Sequence, residues 1–277
     1  ELNIKNFNLV ILADDTILNS FGDELSVDNK SFKNFGVFRK YKTETKKNID
    51  KNTFHVIKTS SYDINKYGIK LNKTKYYYDG KLIYPEIDYR GFVIDDYVDV
   101  RYENNLKPGV GRVIITAKTK FTGTVVLDFD ILGHKKGTVL TDGKLLYKVT
   151  KTGAVGVAGK VSVIGVKKKS LKKINIKAAV KFNGVKYDVV SIGKKAFKNS
   201  KKIKSIVIGK NVSKIGKGAF AGCKKLKSIK IKSKKIKKFA KGTFKGVKNT
   251  CVIKVPKKKK KAYIKKLVKA GFKGIVK

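Results

Sequence analysis

The sequence predicts a mainly β protein, in which a small β-sandwich is followed by a short repeat solenoid that ends in a capping helix. Three observations lead to this fold class. Apolar and polar residues alternate over many short runs, as half-buried strands require. One motif recurs at a nearly constant interval late in the chain, and the charge changes abruptly near Gly133. We therefore divide the 277 residues into segments 1–66, 67–133 and 134–277.

The charge distribution supports the last of these boundaries. The net charge is +47; residues 1–134 hold 21 Lys+Arg and 18 Asp+Glu, whereas residues 135–277 hold 46 lysines, no arginine and two acidic residues, Asp142 and Asp188. Apolar residues make up 41% of the chain, which excludes a disordered protein. No apolar run of about 18 residues predicts a membrane span, and no signal peptide opens the chain. The start at Glu1 without Met indicates a processed or trimmed fragment.

The first two segments are predicted to be β-rich. Residues 1–66 contain strand-like runs between polar turns, such as "FNLVILA" and "TFHVIKT", and are interpreted as a possible partial domain. Residues 67–133 contain alternating runs, such as "YVDVRYENN" and "TVVLDFDIL", separated by turn dipeptides that include Asp79-Gly80 and Pro108-Gly109. Short strands at this spacing predict a small antiparallel sandwich.

The repeats begin at Val189. "SIGKKAFKNSKKIKSIVI" (residues 191–208) returns 23 residues later as "SKIGKGAFAGCKKLKSIKI" (residues 213–231), and a looser third unit follows after another 24 residues. A period in the twenties is typical of a solenoid, because one coil cannot bury its own apolar side chains and must stack on the next. We therefore expect a stacked, buried set: Phe197, Ile206, Ile208, Phe220, Ile229 and Ile231.

Other elements are expected to close the two ends of this array. After Pro256, one helical stripe is predicted to contain Tyr263, Leu267 and Ala270 together with Ile264 and Val268, with Gly271 as the C-terminal cap. Upstream, the runs "KLLYKVT", "GKVSVIGVKK", "INIKAAV" and "VKYDVVSIG" predict strands that lead into the solenoid and cap its first coil.

The repeat motif resembles the BspA-like leucine-rich repeats of bacterial surface proteins, whose consensus is close to I-G-x-x-A-F-x-x-C-x-x-L-x-x-I-x-I. "IGKGAFAGCKKLKSIKI" carries every named position, including Cys223. Residues 67–133 similarly resemble bacterial Ig-like repeats, through "YYYDGKLIYPEI" and "DDYVDVRYENNLKPGVGRVIITAKTKFTG", although Lys118 and Lys120 stand where those repeats usually have Gly. The resemblances imply an Ig-like β-sandwich before a leucine-rich-repeat solenoid in a secreted or cell-surface bacterial protein, associated with adhesion and without catalysis.

Groups able to support catalysis, metal binding or cofactor binding are scarce. The two histidines, His55 and His134, lie in different segments without a neighbouring ligand set, and His134 is interpreted as a solvated linker residue. The resemblance implies that Cys223 points into the core. Cys251 lies about four residues out of step with it, so we predict two buried free thiols. Consequently, no enzyme activity, cofactor or metal is expected.

Carboxylates concentrate in "VIDDYVDVRYE", which contains Asp95, Asp96, Asp99 and Glu103 beside Arg101. Strand alternation places residues 95, 99, 101 and 103 on one face. A calcium or acid–base site is one interpretation, and a solvated face partly neutralised by arginine is the favoured one.

The lysines allow three interpretations: attraction to anionic polymers of the cell wall or host matrix, nucleic-acid binding, and a solubilising coat. The absence of arginine from residues 135–277 and the predicted burial of the aromatic rings there argue against specific nucleic-acid binding. The near-absence of acidic residues exceeds what solubility requires, but charge runs are usually solvated faces, so the solubilising coat stays open beside polymer attraction. The sequence therefore predicts a surface-attachment or adhesion module that binds anionic polymers or surface proteins.

The partner is expected to contact the outward positions of the repeat strands, which are Ser205, Val207, Ser228, Lys230 and Lys254. The alternative function is an anchoring region of a larger secreted enzyme.

Overall fold

A computed structural model describes residues 10–12, 45–49, 52–57, 62–91, 94, 97–119 and 121–277, with the backbone alone described for the first three ranges and for residue 62. The chain forms two compact units. The first comprises residues 1–74, 82–105 and 110–129, and the second comprises residues 75–81, 106–109 and 130–277.

The first unit consists of short paired strands. Strands β1 (Val10–Leu12), β2 (Thr45–Ile49) and β3 (Asn52–Ile57) form a small sheet with β3 in the middle. β4 (Tyr62–Asp63) is followed by a 3-10 turn (Ile64–Tyr67), which Asp63 caps by accepting a hydrogen bond from the Asn65 backbone N–H. The other strands among the described residues of this unit are β5 (Lys70–Leu71), β7 (Ile87–Asp88), β8 (Val98–Glu103), the 110–117 part of β9 (Gly109–Ala117), β10 (Phe121–Thr122) and the 124–129 part of β11 (Thr124–Leu132).

In this unit the β2–β3, β5–β7 and β8–β9 pairs are antiparallel, whereas β1 runs parallel to β3 and β10 runs parallel to β4. Along β9 the buried positions alternate, so Val113 and Ile115 face the core with Phe129 of β11. Gly111 makes room for that ring, because a Cβ there would lie 2.4 Å from Phe129 Cζ. After Ala117, Thr119 adopts the left-handed backbone region, at φ 55°.

In the second unit, β6 (Lys75–Tyr77) runs parallel to residues 130–132 of β11. The rest of the unit is built on two sheets. One follows the order β12 (Val139–Thr141), β13 (Leu145–Lys151), β14 (Gly159–Val166), β17 (Val185–Ile192), β19 (Lys214–Ile215) and β21 (Lys238–Phe239), with β16 (Ala179–Phe182) also paired to β17. The other follows the order β15 (Lys173–Ile176), β18 (Ser205–Ile208), β20 (Ser228–Ile231), β22 (Val252–Lys254) and β23 (Ile275–Val276).

Successive coils pair in parallel and in register in the second of these sheets. Ile206 of β18 lies beside Ile229 of β20, which lies beside Ile253 of β22. The array begins earlier than the motif predicts, because β15 already pairs in parallel with β18, and β14 with β17. It also continues further, because β23 adds a strand beside β22 after the helix.

The side chains predicted to stack inside the array are buried, which confirms that prediction; Phe197, Phe220, Ile206 and Ile229 are each at most 1% exposed. The Phe197 and Phe220 rings lie parallel at 5.7 Å, and Phe244 continues the stack at a further 5.7 Å. One continuous apolar cluster runs from Leu145 to Phe272. Each coil therefore covers the apolar side chains of its neighbour.

Helix α1 (Lys260–Lys269) closes the C-terminal end of the cluster. Tyr263, Leu267 and Ala270 are buried, but Ile264 and Val268 are 36% and 63% exposed, so the predicted stripe was wrong for these two. Only the face that carries Tyr263, Leu267 and Ala270 packs against the array. Ile264 and Val268 each lie one position further along the helix and point toward solvent. Gly271 follows the helix at φ 83°, as a C-terminal glycine cap does.

Candidate binding surfaces

The predicted contact face is formed by the outward positions of β18, β20 and β22. Ser205 pairs with Ser228, and Ser228 with Val252; Val207 pairs with Lys230, and Lys230 with Lys254. Strand alternation points Ile206 and Ile208 inward, so Ser205 and Val207 lie on the opposite, outward face. Lys230 and Lys254 are exposed, and the two serines are half-buried. The surface is therefore narrow, with one hydroxyl row and one partly basic row.

A more strongly charged surface lies on the turns. Lys194, Lys217 and Lys241 follow β17, β19 and β21 at equivalent repeat positions, and all three are exposed. The Lys195 N–H donates to the Lys217 carbonyl, which fixes these two coils in register. Since parallel neighbours lie about 4.8 Å apart, equivalent lysines form a row across the coils. We name this set the first lysine row.

A second lysine row follows the phenylalanine turns and consists of Lys201, Lys224 and Lys248, which are also exposed. Lys201 and Lys224 line one open crevice of about 450 Å³, together with Asn199 and Gly222. Asn199 and Gly222 both adopt positive φ, 58° and 71°. A Cβ on Gly222 would collide with the Asn199 side-chain oxygen, so the close stacking of these turns depends on glycine at this position.

Few of these charges have partners within the protein. Across residues 135–277, all of which the structure describes, no lysine lies within 4 Å of a carboxylate. Lys266 is a partial exception to the general exposure, because its Nζ donates to the Ile236 carbonyl at 3.1 Å and lies 5.8 Å from the centre of the Tyr263 ring. The remaining ammonium groups of the array are available to an external anion.

The two acidic residues of segment 135–277, Asp142 and Asp188, both form hydrogen bonds within the protein. The Asp142 carboxylate accepts hydrogen bonds from the Lys144 and Leu145 N–H groups and from the Tyr147 hydroxyl, at 2.8–3.0 Å. Burial alone would raise the pKa of Asp142, but these donors together hold it below its usual value. Asp188 accepts a hydrogen bond from the Asn211 side chain at 3.0 Å. Neither carboxylate neutralises a lysine.

The cysteines are free and buried, as predicted. Burial raises the pKa of the Cys223 thiol to about 11, and its Sγ donates to the Phe197 carbonyl. Burial, and secondarily the neighbouring Cys223, raises the pKa of Cys251 to about 11 as well. Thiols with so little thiolate at neutral pH are poor nucleophiles.

His134 makes more contacts within the protein than its interpretation as a solvated linker residue predicts. Its Nε2 lies 3.1 Å from the Asn183 side-chain oxygen, and its ring meets the Tyr78 ring edge to face at 5.1 Å. Its backbone N–H donates to the Tyr187 hydroxyl at 2.8 Å. The prediction missed these contacts because Tyr78 and Asn183 are distant in sequence. The side chain of His55 lies outside the described residues.

The acidic face of β8 is exposed to solvent and its carboxylates are paired with cations, which agrees with the favoured interpretation of a solvated face. Arg101 bonds to Glu103 at 3.1 Å, and Lys118 to Asp99 at 2.6 Å. Asp95 and Asp96 lie outside the described residues. Among the residues that are described, no three His, Cys, Asp or Glu side chains are placed to hold a metal ion.

Residues 166–268 match the family model of the BspA type leucine rich repeat region, in six copies. This match confirms the resemblance over that part of the chain, with strands β15 and β17 included ahead of the first predicted repeat. No curated protein matches the sequence. Of the helices described, none is long and apolar enough to cross a membrane.

Three solved bacterial structures are similar over less than half of the chain. A leucine rich cell surface protein of Faecalibacterium prausnitzii is 23% identical over 43% of this chain and 30% of its own, with a TM-score of 0.36. A leucine-rich repeat protein of Bacteroides ovatus is 33% identical over 42% and 29%, with a TM-score of 0.37. Another from Bacteroides capillosus is 22% identical over 43% and 83%, with a TM-score of 0.34. The chain thus spans about 30% of the length of the first two.

Proposed function

We propose that this chain is a non-enzymatic attachment or adhesion module of a bacterial surface or secreted protein, and that its lysine-rich array binds anionic polymers. The observation that carries the proposal is the pair of lysine rows, which repeat on successive coils without a carboxylate partner. The repeat family of residues 166–268 and the surface-protein description of the Faecalibacterium relative support the location.

The rows suit a polymer better than a small anion. A polymer presents charge after charge along its length, and a row presents one ammonium group per coil at roughly 4.8 Å. Each contact releases condensed counterions, so the contacts accumulate along the chain. Lysine is a flexible, strongly hydrated point charge, which favours diffuse attraction over geometric selection.

Specific nucleic-acid recognition is a weaker explanation of the same charge. Base stacking requires accessible aromatic side chains. Phe197, Phe220 and Phe244 are at most 2% exposed, because their rings stack on each other inside the array. The array also contains no arginine for bidentate contacts.

The face formed by Ser205, Val207, Ser228, Lys230 and Lys254 is proposed as the contact with a protein partner or with the same polymer. Its support is the shared register of β18, β20 and β22. We further propose that residues 67–133 form an Ig-like sandwich between a β-rich segment 1–66 and the array at 134–277. The antiparallel β8–β9 pair is consistent with that proposal.

The test is a titration of the full chain with heparin, a sulfated polysaccharide, at 50 and 200 mM NaCl. If about six anionic groups are contacted, affinity should fall by roughly 10³-fold between the two salt concentrations. The variant Lys194→Gln/Lys217→Gln/Lys241→Gln should reduce the slope of log K against log salt by about 1 for each lysine in contact.

The matched control, Lys136→Gln/Lys210→Gln/Lys265→Gln, removes three exposed lysines that share no row. It carries the same loss of net charge and should reduce the slope less. Absence of binding at 50 mM NaCl would show that the lysines only solubilise the protein. Equal effects of the two variants would show that net charge matters and the rows do not.

A further inference from the structure

The two ends of the five-stranded sheet are closed differently. At its C-terminal end, β23 pairs with β22, and helix α1 packs beside the last coil. At its N-terminal end, β15 pairs with β18 alone, whereas the other sheet continues from β14 into β13 and β12. Within residues 121–277, all of which are described, no strand covers the outer edge of β15. An uncovered edge is a template for a further strand.

The backbone groups at this edge can be assigned from the ladder. The Lys172 carbonyl accepts from the Lys204 and Ser205 N–H groups of the next coil. Because alternate residues of a strand bond to opposite sides, Lys173 and Asn175 direct their N–H and C=O groups away from β18. Both residues are exposed, and no hydrogen bond outside the ladder involves them. The edge therefore offers two donors and two acceptors.

A groove runs along this edge. One cavity, of about 260 Å³, lies between β15 and the β12–β13 turn, and a second, of about 600 Å³, lies beside the β16–β17 hairpin. Asp142 and Lys177 line both cavities, so the two adjoin. Ile174 and Phe182 contribute apolar lining. The groove thus combines an unpaired strand edge with apolar side chains.

The charge around the groove is strongly positive. Lys144, Lys173, Lys177, Lys181 and Lys186 line it. Lys181 and Lys186 lie directly opposite each other on β16 and β17, a like-charge arrangement that costs stability unless an anion lies between them. The single carboxylate in the lining, Asp142, is already bonded to its own turn. An acidic ligand would therefore meet unneutralised ammonium groups.

We propose that the open edge of β15 and the groove beside it bind an extended acidic peptide of a partner protein by strand addition. The unpaired backbone groups recognise the extended main chain, and the surrounding lysines select acidic side chains. The same lysines repel the edge of a second copy of this chain, which discourages self-association. This inference is independent of polymer binding by the lysine rows, since it requires backbone pairing and theirs does not.

The experiment uses the full chain and a blocked ten-residue peptide of alternating Glu and Val. On ¹⁵N spectra, the amides of Lys173 and Asn175 should shift most, and their exchange with solvent should slow by at least tenfold. The same peptide with every backbone nitrogen methylated keeps its charge and loses its donors, so it should bind at least tenfold more weakly. Equal binding of the two peptides would overturn the proposal, as would no binding or shifts elsewhere.

Asn175→Pro provides the matching change in the protein. It removes one outward N–H, and edge strands tolerate proline at such positions. Affinity for the peptide should fall at least tenfold in Asn175→Pro and stay within threefold in Asn175→Thr, while heparin affinity is unchanged in both. A parallel loss of heparin affinity would instead indicate that the variant perturbs the whole array. If Asn175→Pro fails to fold, the methylated peptide decides the question.

Discussion

The two compact units differ in whether their charged surface residues form ion pairs. In the first unit, cations lie beside carboxylates: Lys70 and Arg90 contact Asp88, and Arg112 bonds to Asp128 at 2.8 Å. The Arg112 hydrogen bond holds the pKa of Asp128 below its usual value. In residues 135–277, none of the 46 lysines forms an ion pair, and all but the half-buried Lys266 are exposed. Ion pairs therefore form among the described residues of the first unit, whereas the lysines of residues 135–277 have no carboxylate partner within the protein.

This difference shows where the stability of the array must come from. Exposed ion pairs contribute little in any case, so their absence costs the array only a small amount. Self-repulsion among unpaired lysines is an additional cost. The continuous cluster from Leu145 to Phe272 has to offset both. We therefore expect the array to be sensitive to interior changes and to salt, and the first unit to be less sensitive to salt.

The largest expected effect comes from Phe220, whose ring lies between those of Phe197 and Phe244 at 5.7 Å on each side. Phe220→Ala should lower the free energy of unfolding by about 3–5 kcal/mol, because it leaves a cavity in the middle of the stack. Urea denaturation monitored by circular dichroism measures the change.

The exposed helix residue Val268 provides the control, and Val268→Ala should change stability by less than about 0.5 kcal/mol. A loss below about 1 kcal/mol in Phe220→Ala would contradict the interior placement of the stack. A similar loss in Val268→Ala would contradict the exposure of that helix face.

A smaller effect is expected from the buried thiols at alkaline pH. The folded-state pKa of each cysteine is about 11, above the ordinary value of 9.0. The folded state therefore favours the protonated thiol, and the resulting stability is full below pH 9 and is lost as the pH rises toward 11. A pKa difference of about two units corresponds to about 2.7 kcal/mol for each thiol, most of which is lost by pH 11.

Because lysines also titrate in this range, the measurement compares the protein with Cys223→Ala at each pH. The stability advantage of the unsubstituted chain should shrink by about 2 kcal/mol between pH 8 and pH 11. An advantage that is constant with pH would show that the Cys223 thiol ionises as readily in the folded state as in the unfolded chain.

The smallest expected effect is the response to salt, which tests the difference in charge pairing between the two units most directly. Screening over about 10 Å at 0.1 M salt should weaken repulsion in the array and the ion pairs of the first unit. Amide exchange at 20 and 500 mM NaCl should show strands β18 and β20 stabilised by about 1 kcal/mol, with β8 and β9 unchanged or slightly destabilised. A uniform response of both units would mean that the unpaired lysines do not strain the array.

Much of this fold follows from local pattern. The I-x-I endings place Ile206, Ile208, Ile229 and Ile231 inside, and the A-F position places Phe197 and Phe220 in one stack, because the period of the motif matches one coil. The scarcity of acidic residues after Gly133 likewise predicts lysines without partners, since two carboxylates cannot neutralise 46 cations. The burial of Cys223 was predicted from the resemblance to the repeat family, and both cysteines are buried.

Features that depend on distant residues were decided by the tertiary structure. Ile174 pairs with Ile206 at an offset of 32 residues, because the β16–β17 hairpin is inserted into that coil, and the motif period of 23 therefore does not identify the first coil. The exposure of Ile264 and Val268 depends on how a short helix packs on Phe239 through Tyr263. The partners of His134 and the open edge of β15 likewise arise from chain segments brought together only by folding. Composition and repeat period determine what each coil buries and displays, whereas the long-range pairing of strands determines where the array starts and which edge it leaves open.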